Sequence, residues 1–242
     1  VVTDISSELR ILDKIANSEI NTSIQGKAAI NESLDEFLLD GLVITTNMKQ
    51  PDAADLDVEL TLNGKVNTSS ETAALNNSTI QLAGLTLSLD VDMTDIFGKA
   101  NLDGKISAPA FDARTVLAAV DADPGPMANP NALSKVTIDG DIGGDMENIA
   151  LTNFNLGLDQ SALTGTMQIG LANTTSLGFN LSIDSINASD YLSPTTEGSD
   201  SANTTAATEE DSEVIPVETL STTNINGKFS IKALQYDGWE MR

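Results

Sequence analysis

Carboxylates are the side chains of this chain best placed to do chemistry. Asp139, Asp141, Asp145 and Glu147 recur through a glycine-rich stretch, and Asp90, Asp92 and Asp95 form a second group. Oxygen ligands at such spacing could hold a hard cation such as Ca²⁺. The first group departs from the helix–loop–helix calcium template, because Gly143 stands at the third ligand position and no strong helix brackets it. Alternate acids on a strand form its solvated face, which makes the cation reading the weaker one. Paired carboxylates could also cleave a glycosidic bond, usually beside aromatic platforms. Here six Phe, two Tyr and one Trp show no clustered arrangement. Histidine and cysteine are absent, which excludes disulfides, thiol chemistry and serine activation through histidine. Gly157-Leu-Asp-Gln-Ser161 is no nucleophile elbow, and no Gly-Lys-Ser/Thr phosphate loop occurs. The chain therefore reads as noncatalytic and without a cofactor.

The elements that must position these residues read as mostly β. An apolar–polar–Gly–polar–apolar phrase returns at Gly26, Gly64, Gly104, Gly140 and Gly227, with first intervals of 38, 40 and 36 residues. Such recurrence points to one antiparallel strand-and-turn unit used several times. Asn or Asp beside several of the glycines suits hairpin turns of positive φ, with a bulge or strand end in some copies. Residues 20–24, 37–46, 56–66, 79–93, 136–143, 149–158, 162–171 and 176–186 alternate with period two. The clearest stripes are Leu85, Leu87, Leu89, Val91 and Met93, and then Leu177, Phe179, Leu181 and Ile183.

Helical spacing is expected at residues 4–16, where Ile5, Leu9, Leu12, Ile15 and Ala16 share a helix face behind Asp4 as N-cap. A second helix is expected over 109–120, with Asp112 near its start and Phe111, Val116, Leu117 and Val120 as its buried side. The prolines of 123–130 demand an irregular loop, followed by a short helical turn at 131–135. Residues 1–192 thus read as one β-rich domain with a helical interruption at 109–135. Residues 193–213 read as an acidic Ser/Thr-rich disordered loop, and 214–242 as returning strands of the same domain. Tyr236 and Trp239 are expected to cover the end of the sheet.

A formal charge of −24 opposes binding to a nucleic-acid backbone and repels an anionic membrane surface. No stretch is long and apolar enough to cross a bilayer as a helix. Val1 directly precedes sequence that reads as folded, so targeting or anchoring segments are expected to lie outside this chain.

Residues 106–192 resemble the C-terminal region of the AsmA family of bacterial envelope proteins. The resemblance runs through Phe111-Asp-Ala-Arg-Thr-Val-Leu, Asn129-Pro-Asn-Ala-Leu133 and Val136-Thr-Ile-Asp-Gly. It continues through Leu151-Thr-Asn-Phe-Asn-Leu-Gly-Leu-Asp159 up to Gly165, and through Leu181-Ser-Ile-Asp-Ser-Ile-Asn-Ala-Ser-Asp190-Tyr-Leu. The family phrase ends in Asp-Arg-Tyr-Leu-Pro. Here Ser189 and Asp190 replace the first two residues, and Ser193 intervenes before Pro194. The first hundred residues share only the style.

The resemblance implies a periplasmic location, tethering to the inner membrane by an N-terminal helix, and a role in outer-membrane biogenesis and lipid homeostasis. The larger relatives look like bridge-type lipid carriers. The expected fold is an antiparallel, strongly curved or partly closed sheet of hairpin-like units, capped by two or three short helices. The expected function is to hold or pass acyl chains of phospholipid or lipopolysaccharide along an apolar sheet face. Leu85, Leu87, Leu89, Val91, Leu177, Phe179, Leu181 and Ile183 are the candidate lining residues. Tyr191, at the family's Tyr-Leu position, is expected to be a structural anchor. The rival reading is a scaffold for outer-membrane protein assembly that binds no lipid.

Overall fold

Period-two alternation becomes strand almost everywhere along the chain. The computed structural model describes residues 1–13, 18–49, 55–171, 175–194 and 224–241. Its elements are β1 (Val2–Asp13), β2 (Ser18–Ile30), β3 (Glu36–Lys49), β4 (Leu56–Asn67), β5 (Thr72–Leu82), β6 (Leu85–Thr94) and β7 (Asn101–Phe111). Then come α1 (Ala113–Ala119), β8 (Val136–Gly144), β9 (Asn148–Leu158), β10 (Ser161–Gly170) and β11 (Ser176–Ile183). The chain closes with β12 (Ile186–Asn187), a 3₁₀ turn at Ala188–Tyr191, β13 (Asn224–Ile231), β14 (Leu234–Tyr236) and β15 (Trp239–Met241).

Strands β1 to β11 follow one another across a single sheet as an antiparallel meander, and β13 adds to β11 in parallel. Just beyond that edge, β12, β14 and β15 form a second, small sheet, closed by an Asp237-Gly238 turn with both residues at positive φ. The expected disordered loop at 193–213 lies, beyond Pro194, outside the described residues, as does the expected strand at 214–220.

The mainly β expectation holds, and three details of it do not. First, the sheet is neither strongly curved nor partly closed. Its order is linear, and the edge strands β1 and β13 do not pair with each other. A period-two pattern states only that one face is dry, so it could not distinguish an open sheet from a barrel. Second, the described residues contain one α-helix rather than two or three. Residues expected to start a helix at Asp4 form β1 instead, with Ile5 opposite Gly26, Leu9 opposite Thr22 and Ile11 opposite Ile20. Twelve paired residues of β2 outweigh a local 3.6-residue spacing. Helix α1 is capped by Asp112 as expected, its carboxylate accepting from the N–H groups of Arg114 and Thr115. None of its residues is buried, and residues 131–135 make turns without a helix.

Third, the recurring glycines are not turn residues. Gly26, Gly64, Gly104, Gly140 and Gly227 lie inside β2, β4, β7, β8 and β13, without positive φ. Their near-equal spacing hides unequal structure: the first interval spans two strands, the second three, the third one strand and the α1 loop. What they share is close approach. A Cβ on Gly26 would lie 2.6 Å from the Cα of Leu42, one on Gly104 would meet the Asp90 carbonyl, and one on Gly227 the Phe179 ring.

Several glycines face β-bulges, where one strand carries an extra residue. Register shifts place bulges in β3 near Gly41, β5 near Asn77, β7 near Pro109 and β9 near Asn153. Gly41, Asn77 and Asn153 have positive φ. Polar neighbours hold them: the Gly41 N–H donates to Asn63 Oδ1 (2.9 Å), and the Asn77 N–H to Asp90 Oδ1 (2.6 Å). Asn153 Nδ2 donates to Asp141 Oδ2 (2.6 Å).

Candidate functional site

Directly opposed residues in neighbouring strands share a face, so the register decides what each side of the sheet presents. Leu60 stands opposite Ile80, Ile80 opposite Leu87, and Leu89 opposite Ile106. Further along, Ile138 stands opposite Leu156, Leu156 opposite Leu163, and Leu163 opposite Ile183. The row ends where Leu181 meets Phe229 and Ile183 meets Ile231. Followed from β2 to β13, this side carries no charged side chain. The bulges preserve it, because each extra residue is absorbed while the alternation resumes in phase.

All eight candidate lining residues fall on this one face. Leu85, Leu87, Leu89 and Val91 lie on β6, and Leu177, Phe179, Leu181 and Ile183 on β11. Five strand spacings, roughly 24 Å, separate the two stripes. Val91 and Ile183 are buried and the other six are partly exposed. No described element forms a second layer over the face: each strand of the sheet packs chiefly on its sheet neighbours.

The acids occupy the other side and the rims. Asp139 and Asp141 alternate with Ile138 and Ile142 on β8, while Asp145 and Glu147 sit in the β8–β9 turn. Asp145 folds that turn, its Oδ1 accepting from the backbone N–H groups of Asn148 (2.8 Å) and Glu147 (2.9 Å). Those two bonds hold its carboxyl below the usual range. Asp90 and Asp141 support bulges, and Asp95 Oδ2 accepts from the Lys99 N–H. An open depression of about 580 Å³ brings Asp90, Asp92, Asp103 and Asp141 around Lys105 on the polar side. Among the described residues no three acidic groups are arranged to hold a metal ion. Of the two acidic groups noted in the sequence, Asp90, Asp95, Asp141 and Asp145 hold turns and bulges.

No family model matches this chain, and neither a curated protein nor a solved structure matches it.

One corner of the sheet differs from the rest. Asp159, in the β9–β10 turn, accepts from the backbone N–H groups of Leu133 (2.8 Å) and Lys135 (3.2 Å) and from the Tyr191 hydroxyl (2.9 Å). Partial burial, followed by that bond to Asp159, pushes the Tyr191 hydroxyl far above its ordinary pKa. Ala128 and Asn129 donate to the carbonyls of Leu192 and Asp190, tying the proline loop to the 3₁₀ turn. Asp184 Oδ1 accepts from the N–H groups of Ala162 (2.8 Å) and Ser185 (2.6 Å). Among the described residues, four of the five buried apolar ones, Ala108, Ala132, Val136 and Ile183, lie at this corner. The five phrases quoted for the family resemblance thus meet in space. Sequence reasoning singled out Tyr191 and missed its partner Asp159, whose only signal was a polar residue in a tight Leu-Asp-Gln-Ser turn. Tyr236 and Trp239, expected to cover the end of the sheet, form a cross-strand pair in the small sheet, both exposed.

Proposed function

We propose that this chain is a noncatalytic domain of an AsmA-like periplasmic envelope protein, tethered to the inner membrane by a helix, that holds or passes lipid acyl chains along its apolar sheet face. The observation that carries the reading is the extent of that face. The sheet's eleven strands from β2 to β13, spaced by ~4.8 Å and about ten residues long at ~3.3 Å per residue, give an area of roughly 1,700 Å². The largest apolar patch on an ordinary monomer is about 300–600 Å². Leaving such a surface in water is costly, so it meets apolar material in use. Acyl chains of phospholipid or lipopolysaccharide need a continuous dry track, and a face without a charged side chain supplies one. The acidic side keeps the domain soluble and disfavours lying flat on an anionic membrane by that side.

The test is to export the chain to a Gram-negative periplasm, purify it without detergent and measure co-purifying lipid by native and extraction mass spectrometry. Leu87→Asp/Phe179→Asp, checked by circular dichroism for an unchanged fold, is expected to lose that lipid. A wild-type protein without lipid, or a folded double variant that keeps it, moves the function to the scaffold reading. The two sheet edges left unpaired among the described residues favour that second reading, since each offers backbone hydrogen-bonding groups to a protein partner.

A further inference from the structure

The β1 edge is complementary to itself. Val1 exchanges both backbone hydrogen bonds with Ile30, at 2.7 and 2.8 Å, and the β1–β2 register then runs unbroken to Asp13 opposite Ser18. By antiparallel alternation, odd-numbered residues of β1 bond to β2. The even-numbered ones, Val2 to Leu12, direct their N–H and C=O groups to the edge that no described strand covers. Natural edges are usually blunted by a bulge, a proline or an inward-facing charge. Over residues 2–12 this strand has none of these: Thr3, Ile5, Ser7, Leu9 and Ile11 occupy its apolar side, and Asp4, Glu8 and Arg10 its polar side.

We infer that β1 pairs with β1 of a second copy of this chain, antiparallel about a two-fold axis through Ser7. In that register no like charges are opposed, and Ser6 faces Glu8. Asp4 faces Arg10 of the second copy and Arg10 faces its Asp4. On the apolar side Ile5 meets Leu9, and Thr3 meets Ile11. Val2 and Leu12, which point to the polar side and are 69 % and 52 % exposed, cover each other. The even residues form the hydrogen-bonded pairs, as the free groups of the edge require, and Ser7 meets Ser7 in a non-bonded pair. Moving the axis by one residue to Glu8 keeps even residues bonded but sets Glu8 on Glu8. Arg10 already binds Glu19 through Nε at 2.8 Å, and its guanidinium carries further donors for the incoming Asp4. The opposite edge is a poorer template, since β13 is eight residues long with Gly227 and Lys228 at its middle.

A two-fold axis normal to the sheet leaves both apolar faces on the same side. The dimer is then one sheet of 24 strands with one continuous apolar face. The inference rests on the edge alone and stands whether or not that face carries lipid.

Sedimentation velocity of the 242-residue chain from micromolar to millimolar concentration is expected to show a discrete monomer–dimer equilibrium. Ser6→Pro removes an outward N–H without touching a β1–β2 bond, and is expected to weaken the dimer by at least about tenfold while leaving the far-ultraviolet circular dichroism unchanged. Because the chain has no cysteine, register can be read by cross-linking. Under mild oxidation Ser7→Cys is expected to form a disulfide-linked dimer, whereas Thr3→Cys, which faces Ile11, is not. A monomer at every concentration overturns the inference. So do open-ended oligomers, a dimer indifferent to Ser6→Pro, or Thr3→Cys cross-linking as readily as Ser7→Cys.

Discussion

The span from β1 to β6 and the corner where β7–β11 meet the α1 loop are written in the same strand alphabet, yet they are packed differently. In the span, apolar side chains line one face and nearly all stay partly exposed; Val91 and Ser78 are the buried exceptions. At the corner a short helix, a proline loop and a 3₁₀ turn bend back on the strand ends, and Ala108, Ala132, Val136, Ser161 and Ile183 are buried. Alternation makes a sheet two-faced, but burial needs a second layer, and only the corner has the start of one. Conventional stability is therefore concentrated at the corner, while the span keeps its apolar surface available.

That contrast can be broken by experiment. The largest effect is expected where strand backbones touch. Gly104→Ala drives a methyl into the Asp90 carbonyl and the Val91 Cα, and is expected to cost about 3 kcal/mol in urea unfolding. Gly143→Ala, whose nearest contact would be the Leu102 carbonyl at 3.8 Å, is expected to be nearly neutral. Equal costs would mean that close approach does not hold the sheet together.

Ile183→Ala and Ile80→Ala remove the same atoms from the two regions. Ile183 is 4 % exposed and Ile80 37 %. The corner substitution is expected to cost about 2–4 kcal/mol and the other about 1 kcal/mol. If the two are indistinguishable in denaturant melts, the difference between the regions disappears. If the proposed lipid binding holds, adding a phospholipid ligand should raise the melting temperature of the wild type and increase the cost of Ile80→Ala, because lipid would then cover that site.

Asp159→Ala strips an acceptor from two backbone N–H groups and the Tyr191 hydroxyl at once, with an expected loss of about 2–3 kcal/mol. Tyr191→Phe keeps both backbone bonds and should lose about 1 kcal/mol. A reversed order would show that the Tyr191 hydroxyl, rather than the carboxylate, organises the corner.

The smallest effect concerns pH. The backbone N–H groups of Ala162 and then Ser185 lower the pKa of Asp184. A depressed carboxyl stabilises the fold above its unfolded-state pKa, about 3.9, and that contribution is lost as pH falls through the lower folded value. Melting temperature should therefore fall less steeply for Asp184→Asn than for wild type as pH drops below about 4. Parallel profiles would remove Asp184 from the corner's stabilising set.

Much of this was legible along the chain. Strands β2 to β4, β6 and β8 to β11 follow from period two, the Asp112 cap from its position ahead of an alanine-rich run, and the shared face of the candidate residues within each stripe from their alternation. Strand β7 was not legible, since it lies in no expected strand, and the run at 79–93 merges β5 with β6. The first strand was not, because Ile5, Leu9 and Leu12 fit a helical face as well as a strand, and the deciding partner lies in β2. Nor were the glycines, whose Asn and Asp neighbours suggest turns. Their purpose depends on what stands across the sheet, which is Leu42 for Gly26 and Phe179 for Gly227. The acidic groups suggested ligands for the same reason: a carboxylate's partner cannot be read from its own strand, and for Asp141 it was Asn153.

The sequence by itself determined that the protein is mainly β, acidic, free of histidine and cysteine, and apolar on alternate positions, since each of these is a property of composition or local period. Tertiary structure alone decided that the sheet stays open, that every stripe lands on one face, and that a distant Asp159–Tyr191 bond caps one corner of it. Those outcomes depend on register and on which edges find partners. Such pairings join residues far apart in the chain, where local pattern carries no information.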